Sequence, residues 1–286
     1  MSETKVNVSL NSTKIDLFLA IYSSCMANRW RFIPEESWDG PMNMALDVIA
    51  AETARIEGIS TIRIYRWKPS SLSIGYSQQS SSVNWEYCIK QNIPVIRRKT
   101  GGGGIFHDYD GDISYSIIAP VSSFSTDISE SYRQMLNPIL STFEQLGISV
   151  KFADSNNPGL YSPSCYLRKT NPAHDIMASG KKISGNAQRR SNGVVIQHGS
   201  LIYNYDIDHF PFLFSNFNIP PETIQKHMTS LCEQSKATRK DVILTLENSL
   251  LAWSSAEKGT WGSSELNQAK KIAKEVFCST DWTRRL

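Results

Sequence analysis

The chain has 286 residues, 40% of them hydrophobic and 20% charged, and carries a formal net charge of +3. This composition excludes a disordered chain, and a core of this size needs no metal or disulfide staple. The small positive excess forms no long Lys/Arg block, which argues against nucleic acid as a partner and suits an acidic protein.

In chain order, residues 1–28 read as an N-terminal extension. Their apolar run, Leu17 to Tyr22, is shorter than a signal-peptide core and follows Asp16. No stretch has the ~20 apolar residues of a membrane span, so no membrane association is expected. Residues 29–286 read as one domain, mostly helical from 206 onward. A strand is expected over 30–33, a turn at Gly40-Pro41, and a helix over 43–57, where Met44, Val48, Ala51 and Ala54 recur at helical spacing. Residues 61–67 alternate and predict a strand, with 72–76 as its partner across a turn at Pro69-Ser70. A short helix over 83–91 and a strand over 93–98 follow, broken by Gly101 to Gly104. Strands are expected over 105–107 and 113–119, a helix over 129–146 and a strand over 149–153. Residues 154–174, rich in Asn, Pro, Ser and Gly, predict a long and therefore functional loop. Strands over 176–183 and 194–203 flank a turn-prone stretch, 185–193. Helices over 221–231, 239–252 and 264–277 close the chain. Strands dominate the first two thirds and helices the last, which gives the class α+β.

Five cysteines (Cys25, Cys88, Cys165, Cys232, Cys278) make an odd set without a CxxC pair, so no metal site is expected and the chain reads as reduced and cytoplasmic. Cys88, Cys232 and Cys278 lie on helical patterns and read as small core side chains.

Four segments carry chemistry. Arg97-Arg98-Lys99-Thr100 leads into Gly101, Gly102, Gly103 and Gly104, then Ile105-Phe106-His107-Asp108. A glycine run costs backbone entropy, which a fold tolerates where a ligand must approach the main chain. The arginines supply forked donors for carboxylate or phosphate. The spacing is neither a Walker loop nor a dinucleotide fingerprint, and a plain hairpin loop has the same composition. In Gly180-Lys181-Lys182-Ile183-Ser184-Gly185-Asn186-Ala187-Gln188, a lysine among small residues can set its ammonium against a carbonyl oxygen, although an ordinary basic turn looks the same. His198, in Gln197-His198-Gly199-Ser200, sits in an apolar strand, where a histidine is more often a hydrogen-bonded core residue. Cys165 lies in the long loop with Arg168, Lys169 and His174 nearby, and cations favour the nucleophilic thiolate.

Together these segments resemble the catalytic domain shared by lipoate-protein ligases and octanoyltransferases, which is also similar to that of biotin-protein ligases. The resemblance runs from Trp30 to Arg285. It includes Asn43-Met44-Ala45-Leu46-Asp47, Tyr65-Arg66-Trp67-Lys68-Pro69, Leu72-Ser73-Ile74-Gly75-Tyr76, Thr229-Ser230-Leu231 and Asp281-Trp282. It implies a mixed β-sheet flanked by helices, with an acyl chain beside the glycine loop and Lys182 on the acyl carbonyl. Arg97, Arg98, Gly101, Gly102, Gly103, His107, Gly185, Asn186, Ala187 and His198 become substrate-binding candidates.

The resemblance leaves three activities. In the first, Cys165 takes an octanoyl group from an acyl carrier protein thioester and passes it to a lysine of a lipoyl-carrier protein, a 2-oxoacid dehydrogenase subunit or a glycine-cleavage H-type protein. No cofactor is needed, because the thioester is already activated. In the second, an ATP-dependent lipoate-protein ligase makes lipoyl-adenylate with Mg²⁺. His174-Asp175 stands where such ligases commonly carry Asn-Asp. Too few residues follow Ile202 for the accessory domain of roughly a hundred residues that single-chain ligases carry, so a ligase would need a separate accessory protein. The third is a non-catalytic relative that only binds carriers. The first reading is favoured.

Overall fold

A computed structural model describes residues 29–153, 162–167, 174–207, 209–215 and 220–286. The N-terminal extension with Cys25, and Arg168 and Lys169 of the long loop, lie outside the described residues.

The first strand, β1 (Arg29–Trp38), runs beyond its expected length and feeds helix α1 (Gly40–Glu57) directly. The turn expected at Gly40-Pro41 is instead the first turn of that helix. Asp39 caps it by accepting from the Met42 N–H, and Pro41 occupies an early position where no N–H is needed. Strand β2 (Ile59–Trp67) follows, then β3 (Ser71–Ile74), helix α2 (Trp85–Lys90), β4 (Val95–Arg97), β5 (Ile105–His107) and β6 (Asp112–Pro120). Helix α3 (Ile128–Gln145), β7 (Val150–Phe152), β8 (Ile176–Ala178), β9 (Lys181–Ser191) and β10 (Val194–Ile202) come next. The C-terminal elements are α4 (Pro221–His227), α5 (Leu231–Gln234), α6 (Arg239–Ser254), β11 (Glu257–Lys258), α7 (Ser263–Ile272) and α8 (Thr280–Thr283).

The main sheet has the order β11-β1-β2-β6-β10-β9-β8-β7. β1 pairs in parallel with β2 and β11, and the other pairings are antiparallel, so the sheet is mixed. Alternation along β2 and β6 loads both faces. Ile62, Ile64, Tyr115 and Ile117 pack with Leu136, Ile139 and Phe143 of α3 and with Leu246 and Leu250 of α6. Tyr65, Trp67 and Ile118 pack with Met44, Leu46 and Ile49 of α1 and with Phe277. Each such buried side chain is worth roughly 1.5–3 kcal/mol. The fold is α+β with helices on both sides of a mixed sheet.

Four local expectations are corrected. Residues 72–76 do not pair with β2, whose two edges are already taken by β1 and β6; β3 instead forms a second sheet between β4 and β5. The turn-prone stretch 185–193 is strand as far as Ser191, held by β10 along its length. The real turns are Ser179-Gly180 and Asn192-Gly193, each with both φ angles positive, which matches the twist of a tight hairpin. The helix expected over 221–231 breaks near Met228, and Ser230 starts α5 with a capping box. Finally, of the three cysteines expected in the core, Cys232 and Cys278 are exposed and Cys88 is buried. Among the described residues no helix is long and apolar enough to cross a membrane.

Candidate active site

Lys182 lies one residue into β9, where the pairing with β8 shifts register and turns its side chain inward. It is 2% exposed. Its ammonium donates to the Cys165 carbonyl at 3.0 Å, stands 3.5 Å from the Cys165 Sγ, and pairs with Asp175 at 2.8 Å. Burial alone pulls the Lys182 ammonium down. Negative charge on Cys165 and on Asp175 more than offsets that, so Lys182 is held above the usual lysine value and stays charged. Burial likewise raises Asp175, but Lys182 and His174 outweigh it and hold the carboxyl at about 2.

Cys165 is placed by the glycine run. The Gly104 N–H donates to the Pro163 carbonyl at 2.7 Å, and the Cys165 N–H donates to the Gly104 carbonyl at 2.8 Å. This short ladder needs a bare backbone: a Cβ on Gly103 would lie 2.7 Å from the Pro163 oxygen and 2.8 Å from the Cys165 nitrogen. Gly185 clears the other side, where a Cβ would meet the Cys165 Sγ at 3.0 Å and the Lys182 Cε at 3.3 Å. Gly185→Ala therefore displaces the sulfur and ammonium by a few tenths of an ångström. Acyl loading should fall about tenfold, with little change in melting temperature, and single-turnover mass spectrometry beside a thermal melt checks both.

Arg98 clamps the run from behind, donating to the carbonyls of Gly101 at 2.6 Å and Gly103 at 2.8 Å and to the Ser73 hydroxyl at 3.2 Å. Arg97 goes the other way. Its guanidinium is fully buried and donates to the carbonyls of Gly75, Tyr76, Gln78 and Thr283. It lines neither cavity described below, so it braces the frame instead of binding a ligand there.

Two cavities meet at Cys165. The first is the less open of the two, and Met44, Tyr65, Trp67 and Ile105 supply its apolar wall. Arg98, Gly102, His107, Gly185, Asn186, Ala187 and His198 also reach it, but their polar atoms are largely turned to one another. His107 stacks on Trp67 at 4.0 Å and bridges Ser73 at 2.9 Å and Asp112 at 3.1 Å. His198 bonds Thr100, and burial lowers its pKa despite the nearby Asp47, so its ring is neutral at pH 7. Asn186 accepts from the Tyr115 hydroxyl at 2.6 Å and donates to the His174 carbonyl at 2.7 Å. The second cavity is open, about 710 Å³, and lined by Gly101, Gly102, Gly103, Tyr132, Cys165, His174, Asp175, Lys182, Asn186, Ala187 and Gln188. Cys165, Gly102, Asn186 and Ala187 border both. An apolar-walled pocket, a polar-walled chamber and a thiol beside an ammonium at their shared border suit the transfer of an apolar acyl group.

The structure thus gathers every site residue expected from the sequence except Arg97. Sequence reasoning misses Asp175 as the partner of Lys182, and also Tyr132. The signal for Asp175 was an acid opening an apolar strand, where a buried charge must find a partner.

Among solved structures, the fold matches lipoate-protein ligase A bound with ATP, with a TM-score of 0.74 at 22% identity over 90% of this chain and 98% of that one. It also matches the bipartite lipoate protein ligase of Thermoplasma acidophilum, solved in a study that included its E2 lipoyl domain (TM-score 0.74, 20% identity, 90% and 96% covered). At these identities the likeness establishes the architecture, that of lipoate-handling ligase domains. The lipoyl protein ligase A/B catalytic domain matches residues 39–251, and the chain belongs to that family. Octanoyltransferase LipM of Halalkalibacterium halodurans is 32% identical over 278 residues, 90% of this chain and 99% of the relative. Octanoyltransferase LipM of Bacillus subtilis is 33% identical over 208 residues, 70% and 73% of the two chains.

Proposed function

We propose that this chain transfers an octanoyl group from a carrier thioester to a lysine of a lipoyl-domain protein, through an acyl-enzyme at Cys165. The observation that carries the reading is the Lys182 ammonium 3.5 Å from the Cys165 sulfur, where the apolar-walled cavity borders the polar chamber. Relatives named as octanoyltransferases, alike over most of the chain, support the same reaction.

The octanoyl chain packs against the apolar wall of Met44, Tyr65, Trp67 and Ile105, where its burial contributes ~0.8 kcal/mol per methylene. The Cys165 sulfur attacks the thioester carbonyl, and the Lys182 ammonium stabilises the oxyanion that forms. The new C–S bond is made, the donor C–S bond breaks, and the donor leaves as its thiol. A lysine of the acceptor then displaces the sulfur. The donor thioester supplies the activation, so ATP and Mg²⁺ have no part in this reading. The donor is an acyl carrier protein, and the acceptor is the lipoyl domain of a 2-oxoacid dehydrogenase subunit or an H-type protein. A reduced Cys165 and a carrier-borne acyl donor fit the cytoplasm.

Intact mass spectrometry of a lipoyl domain tests this. Octanoyl-acyl carrier protein without ATP should add an octanoyl mass with the wild type and none with Cys165→Ala. Lipoate addition that requires ATP and survives Cys165→Ala would replace this reading with the ligase.

A further inference from the structure

Acyl transfer to an amine has a proton problem that Cys165 and Lys182 do not solve. The incoming lysine has an ordinary pKa near 10.4 and arrives as an ammonium, which is not a nucleophile. Something lining the open chamber must take a proton before the amine can attack. Lys182 is buried and its ammonium is committed to Asp175 at 2.8 Å, a pair that remains once Cys165 is acylated, so its place is to stabilise charge. Asp175, held at about 2 by Lys182 and His174 against the pull of burial, is a very weak base. Tyr132 is pushed up to about 12 by burial and stays a neutral phenol. Cys165 is acylated at this stage. Asn186, Gln188, Ala187 and the glycines carry no proton acceptor of useful strength.

His174 remains. It borders the chamber with its side chain 21% exposed, between the two groups that hold it. Its Nδ1 lies 3.5 Å from the Asp175 Oδ1, and its ring packs at 4.6 Å against Tyr132. Its backbone carbonyl is tied to Asn186 at 2.7 Å, which anchors the residue to the wall that also borders Cys165. Imidazole is the side chain that ordinarily titrates near neutral pH, and a carboxylate beside one nitrogen fixes the ring and supports the imidazolium. The groups facing it are Asp175, an anion, Tyr132, a neutral phenol, and Lys182 across Asp175, a cation.

We propose that His174, held by Asp175 and Tyr132 at the wall of the open chamber, is the general base that deprotonates the acceptor lysine in the second half of the reaction. The inference rests on the acyl-enzyme reading above. The acceptor ammonium gives one proton to His174. The amine attacks the thioester carbonyl and forms the C–N bond. The C–S bond breaks, its electron pair goes to the Cys165 sulfur, and the sulfur takes the second amine proton. The His174 imidazolium releases its proton to solvent, and the site is restored.

The test separates the two half-reactions. Acyl-enzyme is prepared from octanoyl-acyl carrier protein, then mixed with lipoyl domain or with hydroxylamine, which is already neutral at pH 7, and followed by rapid-quench mass spectrometry. His174→Gln and His174→Ala should slow discharge to the lipoyl domain about 100-fold while slowing loading and hydroxylamine discharge far less. Wild-type discharge to the lipoyl domain should depend on pH, and His174→Gln should flatten that dependence. Discharge of His174→Gln to the lipoyl domain at the wild-type rate would overturn the proposal. So would an equal fall in discharge to both nucleophiles, because that is the mark of a displaced thioester. Absence of any acyl-enzyme in the wild type would instead overturn the acyl-enzyme reading itself.

Discussion

Lys182→Met should reduce octanoyl transfer by about 10²- to 10³-fold and cost the fold about 3–5 kcal/mol. The first figure is the usual effect of removing a preorganised donor to an oxyanion. The second follows because methionine keeps the bulk but leaves Asp175, a side chain 4% exposed, without its cation. Wild type and variant should then converge in acid. A carboxyl held at about 2 in the folded state and near 3.9 when unfolded adds stability that is complete above the unfolded value. That stability drains away as pH falls through the folded value. The gap in urea midpoint between wild type and Lys182→Met should therefore be full at pH 6 and shrink from about pH 4 toward pH 2. A gap that stays constant over that window would mean that the pair adds nothing to the fold.

Asp47→Ala should be about as damaging to the fold, again by about 3–5 kcal/mol, with activity lost through the same weakening. Asp47 pairs with Arg63 at 3.2 Å, with side chains 6% and 1% exposed, and accepts from Ser116 at 3.1 Å. Arg63 is further fixed by the Asn43 carbonyl at 3.0 Å and by the Tyr65 ring at 3.9 Å. Removing the carboxylate strands a guanidinium between α1 and the sheet. Asp47→Asn keeps much of the shape and should cost less. Urea unfolding with an unchanged slope checks the size of the loss. Asp47 also lies 3.6 Å from the His198 ring, which bonds Thr100 at the root of the glycine run. A folded Asp47→Asn protein should accordingly show weakened acyl loading.

The legible part of this molecule is what residue type alone reveals. A run of glycines, a lysine among small residues and a cysteine in a long loop are unusual, and unusual residues mark close approach and chemistry. What the sequence hid depends on direction and partnership. Arg97 and Arg98 are the same residue type one position apart, yet neighbours on extended chain face opposite sides. One therefore braces carbonyls of the frame and the other clamps the glycine loop. Gly185 to Gln188 have weak strand preference and read as part of a turn-prone stretch, but β10 alongside supplies the ladder that their composition does not suggest. The second sheet was invisible because pairing depends on which edges are already occupied. Asp175 opens an apolar strand, and only the packed chain shows that it faces Lys182.

The sulfur of Cys165 stands where two spaces share a wall. Gly102, Asn186 and Ala187 border both the cavity behind it and the chamber in front. On the proposed acyl-enzyme route, donor and acceptor carriers therefore take turns at one sulfur. The first withdraws before the second docks, and the cargo waits in between as a thioester on the protein. A surplus of either carrier then acts as a traffic jam: empty acceptor crowding the sulfur slows loading, and spent donor that lingers slows delivery.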